Sequence, residues 1–232
     1  MTVKRRGVAA VTGLLVAAFC ALATFAVHGL FVGTELGQAV DQALLVRAAH
    51  LPLVVDRLAH ALLSVFTLPL VVAAALVPPT LGLLRRSPWH ALAAVVMVVG
   101  ANVTTQVLKD HVFERPDLLA LGAPNSLPSG HTTVAASVAL AVALSAPPLL
   151  RLPVAVLGVA GSVLVGTATI VAGWHRLSDV AAAVLVSGAW AGLMLAVVVL
   201  RPLPARRPVP PQAADDGRIQ PAARRTTATV HR

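Results

Sequence analysis

Residues 7–32, "GVAAVTGLLVAAFCALATFAVHGLFV", contain no Lys, Arg, Asp or Glu, and how they are read decides the fold. A helix of about 20 such residues crosses a hydrocarbon core, whereas the apolar part of a secretory signal holds only about 7–15. No convincing small-x-small cleavage pattern closes the run, so it is expected to be retained as a first membrane span. The rest of the chain agrees. Of its 232 residues 57% are apolar and 12% charged, and the mean hydropathy is +0.84, far from the composition of a soluble domain. The one cysteine, Cys20, lies inside the first run and gives neither a disulfide framework nor a thiolate metal site.

Further spans are expected at about 62–84, 91–108, 132–150, 153–173 and 180–200. Residues 33–63, "GTELGQAVDQALLVRAAHLPLVVDRLAHALL", mix charges with apolar positions at helical spacing, which suits an amphipathic segment at the membrane surface. The expected class is all-α, a bundle of six transmembrane helices over residues 1–200. Residues 201–232 form a basic Pro- and Ala-rich tail without apolar periodicity, expected to be disordered and cytoplasmic. Seven arginines at or after Arg201 account for much of the formal net charge of +9, so that charge reads as lipid-facing and not as a nucleic-acid signal.

Short cytoplasmic segments carry an excess of Lys and Arg. With the N-terminus inside, "KRR" at 4–6, Arg85, Arg86, Arg151 and the tail share the cytoplasmic side. Segments 109–131 and 174–179 then emerge together on the external face, and the polar clusters go with them.

In "LKDHVFERPD" (108–117) Lys109 and Arg115 are fixed cations on the face where positive charge is under-represented, which suits the holding of an anion. In "NSLPSGHTT" (125–133) a Pro-Ser-Gly turn starts a helix at His131. A helix start exposes unpaired N–H groups and partial positive charge, a phosphate site in waiting, and Gly130 admits close approach of the anion. In "GWHRLSD" (173–179) His175 and Asp179 stand four residues apart. On a helix that spacing lets the carboxylate hold one ring nitrogen and leave the other free as nucleophile or base. An isolated pair of this kind is as readily a tie at a helix end; the company of a second imidazole, two cations and an anion-binding turn favours chemistry. Ionisable groups in a membrane bundle mark functional sites by default.

Lys109 with Arg115-Pro116, then "PSGH" at 128–131, then His175 with Asp179, in this order over about residues 100–190, resembles the type 2 phosphatidic acid phosphatases, integral-membrane lipid phosphatases related to vanadium haloperoxidases. The resemblance implies a six-helix bundle and a metal-independent hydrolysis of a lipid phosphate or isoprenoid diphosphate at the external face. It implies that His175 attacks phosphorus to form a phospho-histidine, that Asp179 holds its tautomer, and that His131 protonates the leaving oxygen. Lys109, Arg115, Ser129 and Gly130 would bind the phosphate. No cofactor or metal is expected, because the clustered carboxylates of a Mg²⁺ site are missing and two cations with a helix start can replace it. The expected partners are a lipid phosphate and the bilayer, with no nucleic acid.

Two departures stand out. The family's first motif usually has one more residue between its Lys and Arg-Pro, and its third motif usually opens with Ser-Arg where this chain has Ala168 and Thr169. Arg176, next to His175, is the candidate replacement for that lost cation. The alternatives are a lipid-phosphate binding or translocating protein without catalysis, and a vanadate-dependent haloperoxidase.

Overall fold

The computed structural model describes residues 3–201, and all of the tail expected to be disordered except Arg201 lies outside them. Among the described residues eight α-helices follow one another: α1 (Val3–Val27), α2 (Glu35–Ala49), α3 (Leu53–Ser64), α4 (Leu68–Leu84), α5 (Pro88–Val107), α6 (Gly130–Ser145), α7 (Pro148–Val171) and α8 (Leu177–Leu200). Helices α1 and α5 each end in one π-helical turn, His28–Val32 and Leu108–Val112. No strand occurs among the described residues.

Four helices are long and apolar enough to cross a membrane: α1 and α5 with their π turns, α7 and α8. A fifth crossing exists if α3 and α4 count together, but they are bent by 67°. The expected continuous span at 62–84 is broken there because Pro69, in the first turn of α4, lacks the N–H that would bond back to Val65. The expected span at 132–150 is also shorter than its apolar run: α6 has 16 residues, about 24 Å, less than a hydrocarbon core. Pro147 and Pro148 end it and start α7 five residues earlier than the expected 153, since proline is well tolerated at a helix start.

Small residues let the first and last helices touch. A Cβ on Gly13 would lie 2.6 Å from the Gly192 carbonyl oxygen, and one on Gly192 would lie 2.5 Å from that of Gly13. Backbone approach of this kind supplies the van der Waals packing that holds helices together in lipid, where apolar burial gives little. Met97, Ala94 and Ala141 are buried with Met194 along α5, α6 and α8, while α3 packs Ala59 and Leu63 on Val165 and Ala168 of α7.

The two ends of this bundle differ. At one end Arg85 donates to the carbonyls of Ser145 and Ala146 at 2.6 and 2.8 Å, Arg151 donates to Ala146, and Arg6 reaches the carbonyls of Val199 and Arg201. At the other end α5 finishes, α6 begins, α7 finishes and α8 begins. The Thr105 and Thr133 hydroxyls meet there at 2.9 Å, and the Ser129 N–H donates to the Asp179 carbonyl at 3.0 Å.

The segment expected to lie amphipathically at the surface folds as α2 and α3. In α2 the orientation is inverted: Gln38 and Asp41 are buried, whereas Leu36, Val40 and Val46 are exposed. Its polar face covers the end of the bundle that carries the three sequence clusters.

Candidate active site

The turn between α7 and α8 is set by Gly173, whose φ of 75° suits a residue without Cβ. The Thr169 carbonyl accepts the N–H groups of Trp174 and His175 at 2.9 and 3.2 Å. This delivers the imidazole to the start of α8, with 11% of its side chain exposed.

His175 Nδ1 lies 3.2 Å from Asp179 Oδ2. The same oxygen accepts the Ser126 hydroxyl at 2.6 Å and the Arg176 backbone N–H at 2.9 Å. Asp179 is fully buried, so a carboxylate with three donors on one oxygen holds the ring as its Nδ1–H tautomer and leaves Nε2 free. The expected His175–Asp179 pair is therefore formed, and Ser126 joins it. Nothing in the sequence singled out Ser126; a serine in a polar loop gives no signal of its own.

Two guanidinium groups converge here. Arg176 is buried and its Nη1 donates to Ser126 Oγ at 3.2 Å. Its Nε, like Nη1 of Arg115, is buried without a hydrogen-bond partner among the described residues. Burial pushes the Arg115 guanidinium below its ordinary pKa, the Arg176 charge adds to that push, and Asp179 and Asp41 oppose it. Two neighbouring cations, each with an unspent buried N–H, form an electrostatic demand for an anion.

Lys109, in the π turn after α5, is half-buried and within Coulombic range of Asp179. The loop between them is fixed by Asn125, whose amide donates to the carbonyls of Lys109 and Phe113 at 3.0 and 2.8 Å. Where the family's Arg is expected, Thr169 is fully buried and donates to the Gly166 carbonyl at 2.7 Å, so that position brings no cation.

Ser129 caps α6: its Oγ accepts from the Thr132 N–H at 3.4 Å and the Thr132 hydroxyl at 3.1 Å. Its side chain thus serves the helix start first. At Gly130 a Cβ would meet nothing closer than Gln106 at 3.7 Å, so the protein itself does not require glycine there. His131 sits between rings, 5.8 Å from Phe66 and 5.4 Å from Trp174 between centroids, and within Coulombic range of His175 and Lys109. It lines a cavity of about 220 Å³ with Gly130, Asn102 and Gln106.

All eight residues expected to form the site thus lie at one end of the bundle, in the π turn after α5, at the starts of α6 and α8, and in the loops that lead into them. The description "PAP2 superfamily" matches residues 90–202, which contain every one of them. Over these residues the chain carries a PAP2 superfamily region, the superfamily of the type 2 phosphatidic acid phosphatases. Among solved structures it is similar to a transmembrane PAP2-type phosphatidylglycerolphosphate phosphatase from Bacillus subtilis, with 25% identity, a TM-score of 0.52, and coverage of 81% of this chain and 94% of that one. No curated protein matches the chain. The superfamily match and the membrane PAP2-type neighbour support a phosphatase in a membrane.

Proposed function

We propose that the protein hydrolyses a lipid phosphate or isoprenoid diphosphate without a metal, through a phospho-histidine at His175, on the external face of the membrane. The observation that carries this reading is the free Nε2 of an imidazole locked by Asp179 and Ser126 beside two unspent guanidinium N–H groups.

In the first step Nε2 of His175 attacks phosphorus and the bond to the leaving oxygen breaks as His131 donates its proton to that oxygen. The positive charge gained by the His175 ring is offset by Asp179. His131 then takes a proton from water, the water oxygen attacks phosphorus, and cleavage of the P–N bond restores His175 and releases phosphate. Arg115, Arg176 and Lys109 balance the equatorial oxygens throughout, with the Gly130 N–H at the start of α6. On this reading Arg176 takes the part of the cation missing at Thr169.

A lipid substrate is favoured by the cavity beside His131. Phe66, Val71 and Val134 line it and also line an apolar groove of about 280 Å³ that continues between α4 and α6 past Leu70, Ala74 and Val138. A phosphate at His131 would leave its acyl or isoprenoid tail in that groove. A phosphatidylglycerol phosphate fits this description, as does phosphatidic acid. We read the bent α3–α4 pair and the short α6 as two crossings beside the four long helices; on that reading the excess of Lys and Arg in cytoplasmic segments favours the arginine-rich end inside and the site outside.

The test is phosphate release from a panel of lipid phosphates and isoprenoid diphosphates by detergent-purified protein in EDTA. Release by wild type that is lost in His175→Ala is the expected result. A folded protein that binds these lipids and releases no phosphate would instead be the non-catalytic binder, for which the missing third-motif Arg is the motive.

A further inference from the structure

One buried carboxylate is left over by this mechanism. Asp41 is fully buried on α2, far in sequence from every motif, and both its oxygens are used on one residue. Oδ1 accepts the Ser178 backbone N–H at 3.1 Å, and Oδ2 accepts the Ser178 hydroxyl. Ser178 lies in the first turn of α8, between His175 and Asp179.

The first N–H groups of a helix have no partner within it and need a cap. Here α8 receives one from another helix, and the carboxylate also suits the positive end of the α8 dipole. Asp41 itself is held in place. Gln38, one turn earlier, donates its amide to the carbonyls of Val32 and Pro116, both at 2.7 Å. Gly37 lets α2 seat on the end of α1, where a Cβ would fall 2.0 Å from the Leu30 carbonyl oxygen. One face of α2 therefore grips both the loop that carries Arg115 and the turn that carries His175.

Resting on the phosphatase reading, we propose that Asp41 is a positioning residue that fixes the start of α8 so that His175 Nε2 faces the phosphorus. A cap alone would not call for an anion here. Asp41 lies near the Asp179 carboxylate, which it repels, and burial pushes its own carboxyl above the ordinary aspartate range while the Ser178 bonds work against that. A neutral asparagine or serine would cap without either penalty. What the carboxylate adds is a two-point hold on Ser178 and a negative charge close to Arg115.

The experiment measures kcat and KM for phosphate release by wild type, Asp41→Ala, Asp41→Asn, Ser178→Ala and the Asp41→Ala/Ser178→Ala pair. Orthovanadate binding by isothermal titration calorimetry reads the same geometry without turnover. Asp41→Ala is expected to lose about 10–100-fold in kcat with KM within about twofold, and to bind vanadate about tenfold more weakly. Asp41→Asn keeps one acceptor and should fall between it and wild type. Ser178→Ala keeps the backbone bond and should lose about threefold, and the double variant should match Asp41→Ala within about twofold because both changes act through one contact. Folded Asp41→Ala with wild-type kcat and vanadate affinity overturns the proposal. If Asp41→Ala does not fold, wild-type kcat in both Asp41→Asn and Ser178→Ala overturns it equally. A wild type that releases no phosphate sinks the phosphatase reading instead, and vanadate binding alone then decides the role of Asp41.

Discussion

The two ends of the bundle use arginine in opposite ways. At the arginine-rich end Arg85, Arg151 and Arg6 reach across to helix-terminal carbonyls, so each guanidinium is spent on backbone acceptors that would otherwise be unpaired. At the site end the charges of Arg115 and Arg176 act on one another, and one nitrogen of each is buried without a hydrogen-bond partner among the described residues. An arginine satisfied by the fold is structural; one left unsatisfied by it is available to a ligand.

The sharpest way to break this contrast is to compare a histidine at each end. His90, at the start of α5, is held by Ser87 at 2.6 Å, and His90→Ala is expected to keep turnover. His175→Ala should lower phosphate release by about 10⁴-fold or more if the ring is the covalent nucleophile. Equal activity in the two variants would end the assignment of the site.

Arginines come next. Arg115→Ala is expected to cost about 10²–10³ in kcat/KM, the usual range for removing a preorganised donor to developing oxyanion charge, and Arg176→Ala about 10². Arg85→Ala should leave kcat/KM within about twofold and lower stability by about 1 kcal/mol, measured by thermal unfolding in detergent. If Arg176→Ala retains full phosphate release, its replacement of the lost third-motif cation is wrong.

Ser126→Ala removes one of three donors to Asp179 Oδ2, and kcat should drop by about tenfold with KM little changed. Among the site residues the smallest expected effect is that of Gly130→Ala. The protein leaves room for the new Cβ, so folding should be unaffected while KM rises by about threefold from crowding of the phosphate. A loss of stability there would mean that the helix start, and not the ligand, needs the glycine.

The chain by itself determined that this is a helical membrane protein, because uninterrupted apolar runs leave no other solvent for them. It also determined the order and chemistry of the motifs: Lys109 and Arg115, the turn Ser129-Gly130-His131, and the pair His175 and Asp179. The His175–Asp179 contact was legible from the short separation of the two residues, although not as two positions on one helix: His175 precedes α8, Arg176 is extended at its N-cap, and Asp179 in the first turn meets the ring from there. Span ends were less so, because hydropathy does not register Pro69 breaking α3 from α4 or prolines stopping α6 at 16 residues. Only the tertiary structure decided what Ser126, Arg176 and Asp41 touch: Ser126 bonds Asp179 and Arg176, and Asp41 bonds Ser178. Gln38 and Asp41 form a polar stripe at helical spacing, which reads as a face turned to water. The stripe turns inward because the bundle end offers it the unpaired α8 N–H of Ser178 and the carbonyls of Val32 and Pro116. Which way a polar face points depends on the hydrogen-bond partners brought to it from elsewhere in the chain, and no local pattern contains them.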